Sequence, residues 1–412
     1  MVLFQEGNLG NGLTVITHHD PNTPLVVVNL LYKVGSRNET PEKTGFAHLF
    51  EHLMFGGSQH VPDFDKVLHR VGAENNAFTN TDITNYYIVL DAANIETALW
   101  VESDRMQFLN LDQKSLDTQK NVVVEEFKQR YLNQPYGDVM LKLRPLAYTV
   151  HPYRWPTIGM KTEHIRLASL DDVQNFHETY YGPDNAVLCI CGNIIHEKAM
   201  DLAAKWFGDI PGTSRIKQEI PMEPPQTAAR HLDVESDVPM DALYKAYHMP
   251  ARGGKEYLRA DLASDLLGRG KSSRLYQRLV KEQQLFNNID AYLTGSSDPG
   301  LTMISGKVKP GIRVEDADRA IGEVVESLQE NIGDNEFEKV INQYESTNLF
   351  AETELMHKAQ SLAYFNALGD TSLINREIGM IREIQKDEIL KTSAAILKAE
   401  NCSTMYYRSK SR

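Results

Sequence analysis

Three cysteines in 412 residues are too few for a disulfide framework, and Cys189 and Cys191 alternate within an apolar run that reads as a buried strand. Reduced core thiols are expected, not cross-links or metal ligands. No apolar run reaches the roughly 18 residues that a membrane-spanning helix requires, so no membrane crossing is expected. The opening residues, Met1-Val-Leu-Phe-Gln-Glu-Gly-Asn8, lack a basic stretch followed by an apolar one, so the expected location is the cytoplasm, leaving aside any leader already removed. Positive charge is in deficit, with 43 Lys and Arg against 56 Asp and Glu, and the balance of −13 argues against nucleic acid as a main partner. Low-complexity tracts are missing as well. With 42% apolar and 24% charged residues, the composition is that of an ordered globular chain. Its length exceeds one ordinary core, so two domains of about 200 residues are expected.

Within this chain, the run Gly45-Phe-Ala-His-Leu-Phe-Glu-His-Leu-Met-Phe55 places two imidazoles and a carboxylate in an otherwise apolar helix. At about 100° per residue, His48, Glu51 and His52 share one face, while Phe46, Leu49, Phe50, Leu53 and Met54 cover the remainder. Burying three titratable groups is costly unless something pairs with them. A zinc ion, one per chain, accepts both imidazoles and leaves the carboxylate as a proton-transfer base, the logic of the H-x-x-E-H motif. A core helix with hydrogen-bonded histidines is the plainer alternative.

The chain also repeats itself. Thr14 to His18 and Leu25 to Val34 read as strands, followed by a loop, Gly35 to Lys43, and the His48 helix. The same order returns later. Leu243-Tyr-Lys-Ala-Tyr247 resembles Leu31-Tyr-Lys-Val34, and at an offset of 213 Ala260 to Leu267 aligns with Ala47 to Met54. Two copies of one α+β domain are therefore expected, at 1–210 and 230–412. The linker, 211–229, is interrupted by Pro211, Gly212, Pro221, Pro224 and Pro225. In the second copy His48, Glu51 and His52 become Asp261, Ser264 and Asp265, which offer no imidazole pair for zinc. The metal role belongs to the first copy alone.

A catalytic zinc usually has three protein ligands and one open position. The best source of the third is the helical segment Gln113 to Leu132. Leu116, Val123, Val124, Phe127 and Tyr131 gather on one arc of it, with Glu125 nearly opposite and Glu126 at the arc's edge. Glu126 is the expected ligand, and Glu125 a solvated acid pairing with Lys120 or Lys128. Glu102 and Asp104 read as structural, His60 and His69 as surface residues.

His48-Leu-Phe-Glu51-His52, followed after 73 intervening residues by Glu126, resembles the pitrilysin or insulinase superfamily of inverted zinc metallopeptidases. The likeness is to its short-chain members, such as the mitochondrial processing peptidase beta subunit. It extends through Gly72-Ala-Glu-Asn-Asn-Ala-Phe-Thr-Asn80, Glu102 to Met106, Tyr181-Gly-Pro-Asp-Asn185 and Ser272-Ser-Arg-Leu-Tyr276. The resemblance implies two homologous domains, each a mostly antiparallel sheet covered by helices and together half of a clamshell, with zinc only in the first. It implies zinc-dependent hydrolysis of peptides or unfolded segments in a closed chamber. Glu51 is then the base and Asn76, Ala77 and Phe78 lie on a strand whose edge pairs with extended peptide. A supporting family acid seven residues before Glu126 is here Gln119, whose amide can still hydrogen bond near the ligands. The family's arginine and tyrosine that reach bound peptide fall on Val280 and Asn287, neither of which can serve. The missing pair points to a homologous companion subunit in a heterodimer, or alternatively to a homodimer. A noncatalytic scaffold subunit is the other function the resemblance allows.

Overall fold

A computed structural model describes residues 1–213 and 219–410; residues 214–218 of the expected linker lie outside the described residues. The chain divides into two compact units. The first comprises Met1–Lys128, Trp155–Ile220 and Leu349–Asn375, the second Gln129–Arg154, Pro221–Asn348 and Arg376–Arg412. The contiguous halves read from the sequence thus require a correction, since each half contributes a segment to the other half's unit.

In the first unit Gln5–Asn8 (β1), Thr14–His19 (β2), Leu25–Tyr32 (β3), Glu74–Thr79 (β4), Thr84–Asp91 (β5) and Ala186–Gly192 (β6) form one sheet in the order β1-β2-β6-β3-β5-β4. Only β2 and β6 run parallel. The central strands β3 and β6 are continuous apolar runs because both faces of the sheet are covered. The helix Ile95–Phe108 packs against β3, and the helix Leu355–Ala367 packs on β2, β3 and β6. The polar exception, Asn29, is fully buried and exchanges two amide hydrogen bonds with Asn85, at 2.9 and 2.8 Å. Cys189 and Cys191 are buried free thiols on β6, as the alternation suggested.

The second unit repeats this plan. Arg230–Ser236 (β7), Ala242–His248 (β8), Phe286–Leu293 (β9), Leu301–Val308 (β10) and Cys402–Ser409 (β11) form a sheet in the order β7-β11-β8-β10-β9. Its parallel pair is β7 with β11. Taken in chain order, β2 to β6 and β7 to β11 have the same arrangement and the same strand senses, and β1 is the first unit's addition. The duplication seen in short sequence matches is thus carried by the whole topology.

One face of the second sheet meets the helices Lys255–Gly268, Val314–Glu330 and Lys386–Ile396, with Leu262, Leu266, Ile321 and Ile389 among the core residues. Its other face is closed by the helix Val139–Ala147, whose Val139, Leu143 and Ala147 pack with Ala242, Met303, Met405 and Tyr407. No helix among the described residues is long and apolar enough to cross a membrane.

Candidate metal centre

The helix Phe46–Leu53 (α1) is two turns long and lies against β4. Its apolar side, Phe46, Ala47, Leu49, Phe50 and Leu53, is buried, and Phe50 meets an aromatic group made by Phe176, His177 and Tyr181. That packing leaves His48, Glu51 and His52 half-buried on the remaining face. The two imidazole rings stand edge-on, 4.8 Å between centroids and 85° between planes.

The expected helix over 113–132 is α-helical for Gln113–Phe127 and winds more loosely as a π-helix over Lys128–Leu132. Asp112 caps its start by accepting from the Ser115 amide. Leu116, Val123, Val124 and Phe127 are its buried residues, as the arc required. The helix packs on α1, and Glu126 arrives at the histidine pair: one carboxylate oxygen lies 3.4 Å from His52 Nε2 and 3.7 Å from His48 Nε2. Glu125 points away, bonded to Lys128 Nζ at 2.5 Å with 60% of its side chain exposed.

Among the described residues, His48, His52 and Glu126 are the one group of histidine, cysteine and carboxylate side chains whose ligand atoms converge as a metal ion needs, all within 4.8 Å of one another. The donor set suits zinc. Ligands about 2.0–2.2 Å from a tetrahedral ion stand roughly 3.4 Å apart, close to the two nitrogen–oxygen distances here. Two imidazoles and one carboxylate also match the composition of hydrolytic zinc sites.

Glu51 is held separately from the ligands. Thr79 on β4 donates its hydroxyl to a Glu51 oxygen at 2.6 Å. Burial holds the Tyr86 and Tyr181 phenols above their usual range, and the nearby Glu51 charge adds to that effect. Thr79 was not singled out in the sequence, although strand alternation carried the signal: in β4 the exposed residues are Glu74, Asn76 and Phe78, and Asn75, Ala77 and Thr79 turn inward. Of the three proposed substrate contacts, Asn76 and Phe78 are exposed and Ala77 half-buried, on a strand with one free side. Gln119 is half-buried two turns before Glu126 and outside the converging group.

The remaining acids of the region are structural. Glu102 is fully buried and receives both Arg105 Nε, at 2.8 Å, and an Arg105 terminal nitrogen, at 2.5 Å. Burial pushes its carboxyl up and the guanidinium pulls it back. That guanidinium also lies 4.2 Å from the Tyr86 ring centre and 4.6 Å from that of Phe64. Asp104 accepts from the Ser58 hydroxyl and pairs with His60 Nδ1 at 2.6 Å, tying down the loop after α1. His60 and His69 are exposed.

In the second unit, Asp261, Ser264 and Asp265 lie on the helix Lys255–Gly268, at the place α1 occupies in the first. Asp265 pairs with Arg269 at 2.8 Å, and burial beside Asp265 pushes Asp261 up to about 7. Val280, within the π-helix Tyr276–Glu282, packs its side chain against the second unit's core. Asn287 is exposed at the start of β9.

Residues 14–153 match the family described as insulinase (peptidase family M16), and residues 168–344 match the peptidase M16 inactive domain. Over 327 residues the chain is 34% identical to the zinc protease PqqE of Helicobacter pylori, covering 78% of this chain and 73% of that one. It is 27% identical over 307 residues to a probable mitochondrial-processing peptidase subunit beta of Schizosaccharomyces pombe, covering 71% and 66%. The crystal structure of a protease from Helicobacter pylori superposes with a TM-score of 0.93 at 28% identity, covering 99% of this chain and all of that one.

Proposed function

Because the chain belongs to the insulinase family of peptidases, family M16, we propose that it is a zinc-dependent endopeptidase acting on peptides or unfolded segments admitted to an enclosed chamber. The observation that carries this reading is the convergence of His48, His52 and Glu126, with Glu51 one helical turn from His48 and held by Thr79. His48, His52 and Glu126 would hold one zinc ion. Bound there, zinc lowers the pKa of a water molecule and polarises a peptide carbonyl.

The chain's own residues do the rest. Glu51 takes a proton from the attacking water and returns it to the leaving amine nitrogen. The Thr79 hydroxyl fixes one Glu51 oxygen, which limits the carboxylate's rotation. An extended peptide adds to the edge of β4 through main-chain hydrogen bonds, with Asn76 and Phe78 beside it, so affinity makes little demand on sequence. Short M16 chains such as the beta subunit of mitochondrial processing peptidase support a further part of the reading: a homologous companion subunit supplies the arginine and tyrosine that Val280 and Asn287 replace.

The test is metal analysis together with cleavage of a quenched peptide mixture. One zinc per chain and cleavage that stops with a chelator and in Glu51→Gln support the reading. Zinc without cleavage, alone and with every homologous partner, leaves the scaffold role instead.

A further inference from the structure

The first turn of α1 has no cap of its own. Gly45, its N-cap residue, sits at φ 91°, and a Cβ added there would stand 2.6 Å from the Ile158 carbonyl oxygen and 2.8 Å from Ile165 Cδ1. Only glycine fits, so the Ser, Thr, Asp or Asn that usually satisfies the first amides of a helix is excluded. Those amides are buried and still need acceptors. Glu39, six residues before Gly45, supplies acceptors for the N-cap residue and for Ala47. It is 4% exposed, and its two oxygens each accept a main-chain N–H at 2.8 Å, from Gly45 and from Ala47. Phe46 and Trp155 add weaker polar contacts to the same carboxylate.

We infer that Glu39 is a positioning residue for the metal centre, fixing the first turn of α1 so that His48 and His52 face Glu126. The inference rests on the reading of those three residues as zinc ligands. The ligands span a helix of eight residues, and a shift of its start moves both imidazoles at once. Burial pushes the Glu39 carboxyl up and its main-chain hydrogen bonds pull it back, and one of those bonds goes directly to the amide preceding His48. In the sequence Glu39 reads as an ordinary loop acid; only the fold-back of the 36–44 loop brings it under the helix.

The parent, Glu39→Ala, Glu39→Gln, His52→Ala and Leu202→Ala are compared for zinc affinity by chelator competition, below the melting temperature of each. Leu202 is buried in the helix His196–Phe207, and its truncation serves as a control for lost stability. Glu39→Ala is expected to weaken zinc binding roughly 10- to 100-fold, as loss of groups that orient metal ligands does. Glu39→Gln keeps the shape and one of the two acceptors and should recover part of that loss, which also covers the case in which the alanine variant does not fold. Leu202→Ala should melt lower and bind zinc as the parent does. Parent-like affinity in both Glu39 variants, with zinc lost in His52→Ala, overturns the inference alone, as does equal weakening by Leu202→Ala. A parent that binds no zinc overturns the metal reading itself, and the inference with it.

Discussion

Two adjacent carboxylates compete for one ligand position, and a single helical step separates them. Glu126 sits at the edge of the buried arc and reaches His48 and His52, while Glu125 is committed to Lys128 in solvent. Glu126→Ala should therefore lose zinc on dialysis and Glu125→Ala retain it, as read by metal content of the purified variants. That choice was legible because helical periodicity separates neighbours by about 100°. Glu39 and Thr79 were not, since their partners depend on how a loop and an edge strand fold back on α1. A half-buried imidazole gives a pH test at the same scale. The His177 ring lies beside the Phe50 and Tyr181 pair, nearly parallel to both at 6.0 and 5.8 Å between centres, and burial lowers its pKa from 6.5 to about 4. An unfolded chain takes up that proton as pH falls through 6.5, whereas the folded one stays neutral until about 4. Stability is thus fully present above 6.5 and is lost across this window, by roughly 3 kcal/mol for a displacement of that size. Urea unfolding at pH 7 and pH 4.5 should show a smaller difference for His177→Phe than for the parent; an equal difference would assign the acid sensitivity elsewhere.

Helices and strands were readable one by one, their allegiance less so. Strand alternation and apolar runs located β2, β3 and β6, and the repeated segments foretold a second copy whose topology the sheet order bears out. Periodicity tells which side of a helix is buried, but not against which sheet. The helix Val139–Ala147 lies in the first half of the chain and closes the second unit's sheet, while Leu355–Ala367 lies in the second half and packs on the first unit's. Leu143 and Leu362 are both fully buried there. Truncating a buried leucine to alanine costs about 2–5 kcal/mol. Leu143→Ala should therefore speed amide hydrogen exchange in β8 and β11 and spare β3 and β6, and Leu362→Ala should do the reverse. If each substitution instead loosened the sheet nearest in sequence, the exchanged packing would be wrong.

At the scale of the whole molecule, duplication has divided labour between the copies. The first keeps two imidazoles and the Glu51 carboxylate on α1, and the second keeps the helix with Asp261, Ser264 and Asp265 in their place, inside a stretch that matches the family's inactive domain. The family resemblance implies a cation and a phenol from the second copy at the substrate, and here those positions hold an aliphatic group packed against the core and an exposed amide. A peptide held at zinc but unclamped reaches its reactive geometry less often, and misplacement of about 1 Å can cost on the order of 100-fold in rate. The isolated chain should accordingly cleave mid-sized peptides weakly and gain about that factor when purified with a homologous subunit carrying the arginine and tyrosine. Asn287→Tyr is the milder gain-of-function variant, because Asn287 is exposed; Val280→Arg with Asn287→Tyr tests the full pair at the risk of disturbing the core that Val280 packs against. A single chain whose cleavage rate is high and indifferent both to partners and to these substitutions would mean that another group holds the substrate, and that the departure at Val280 and Asn287 has no bearing on catalysis.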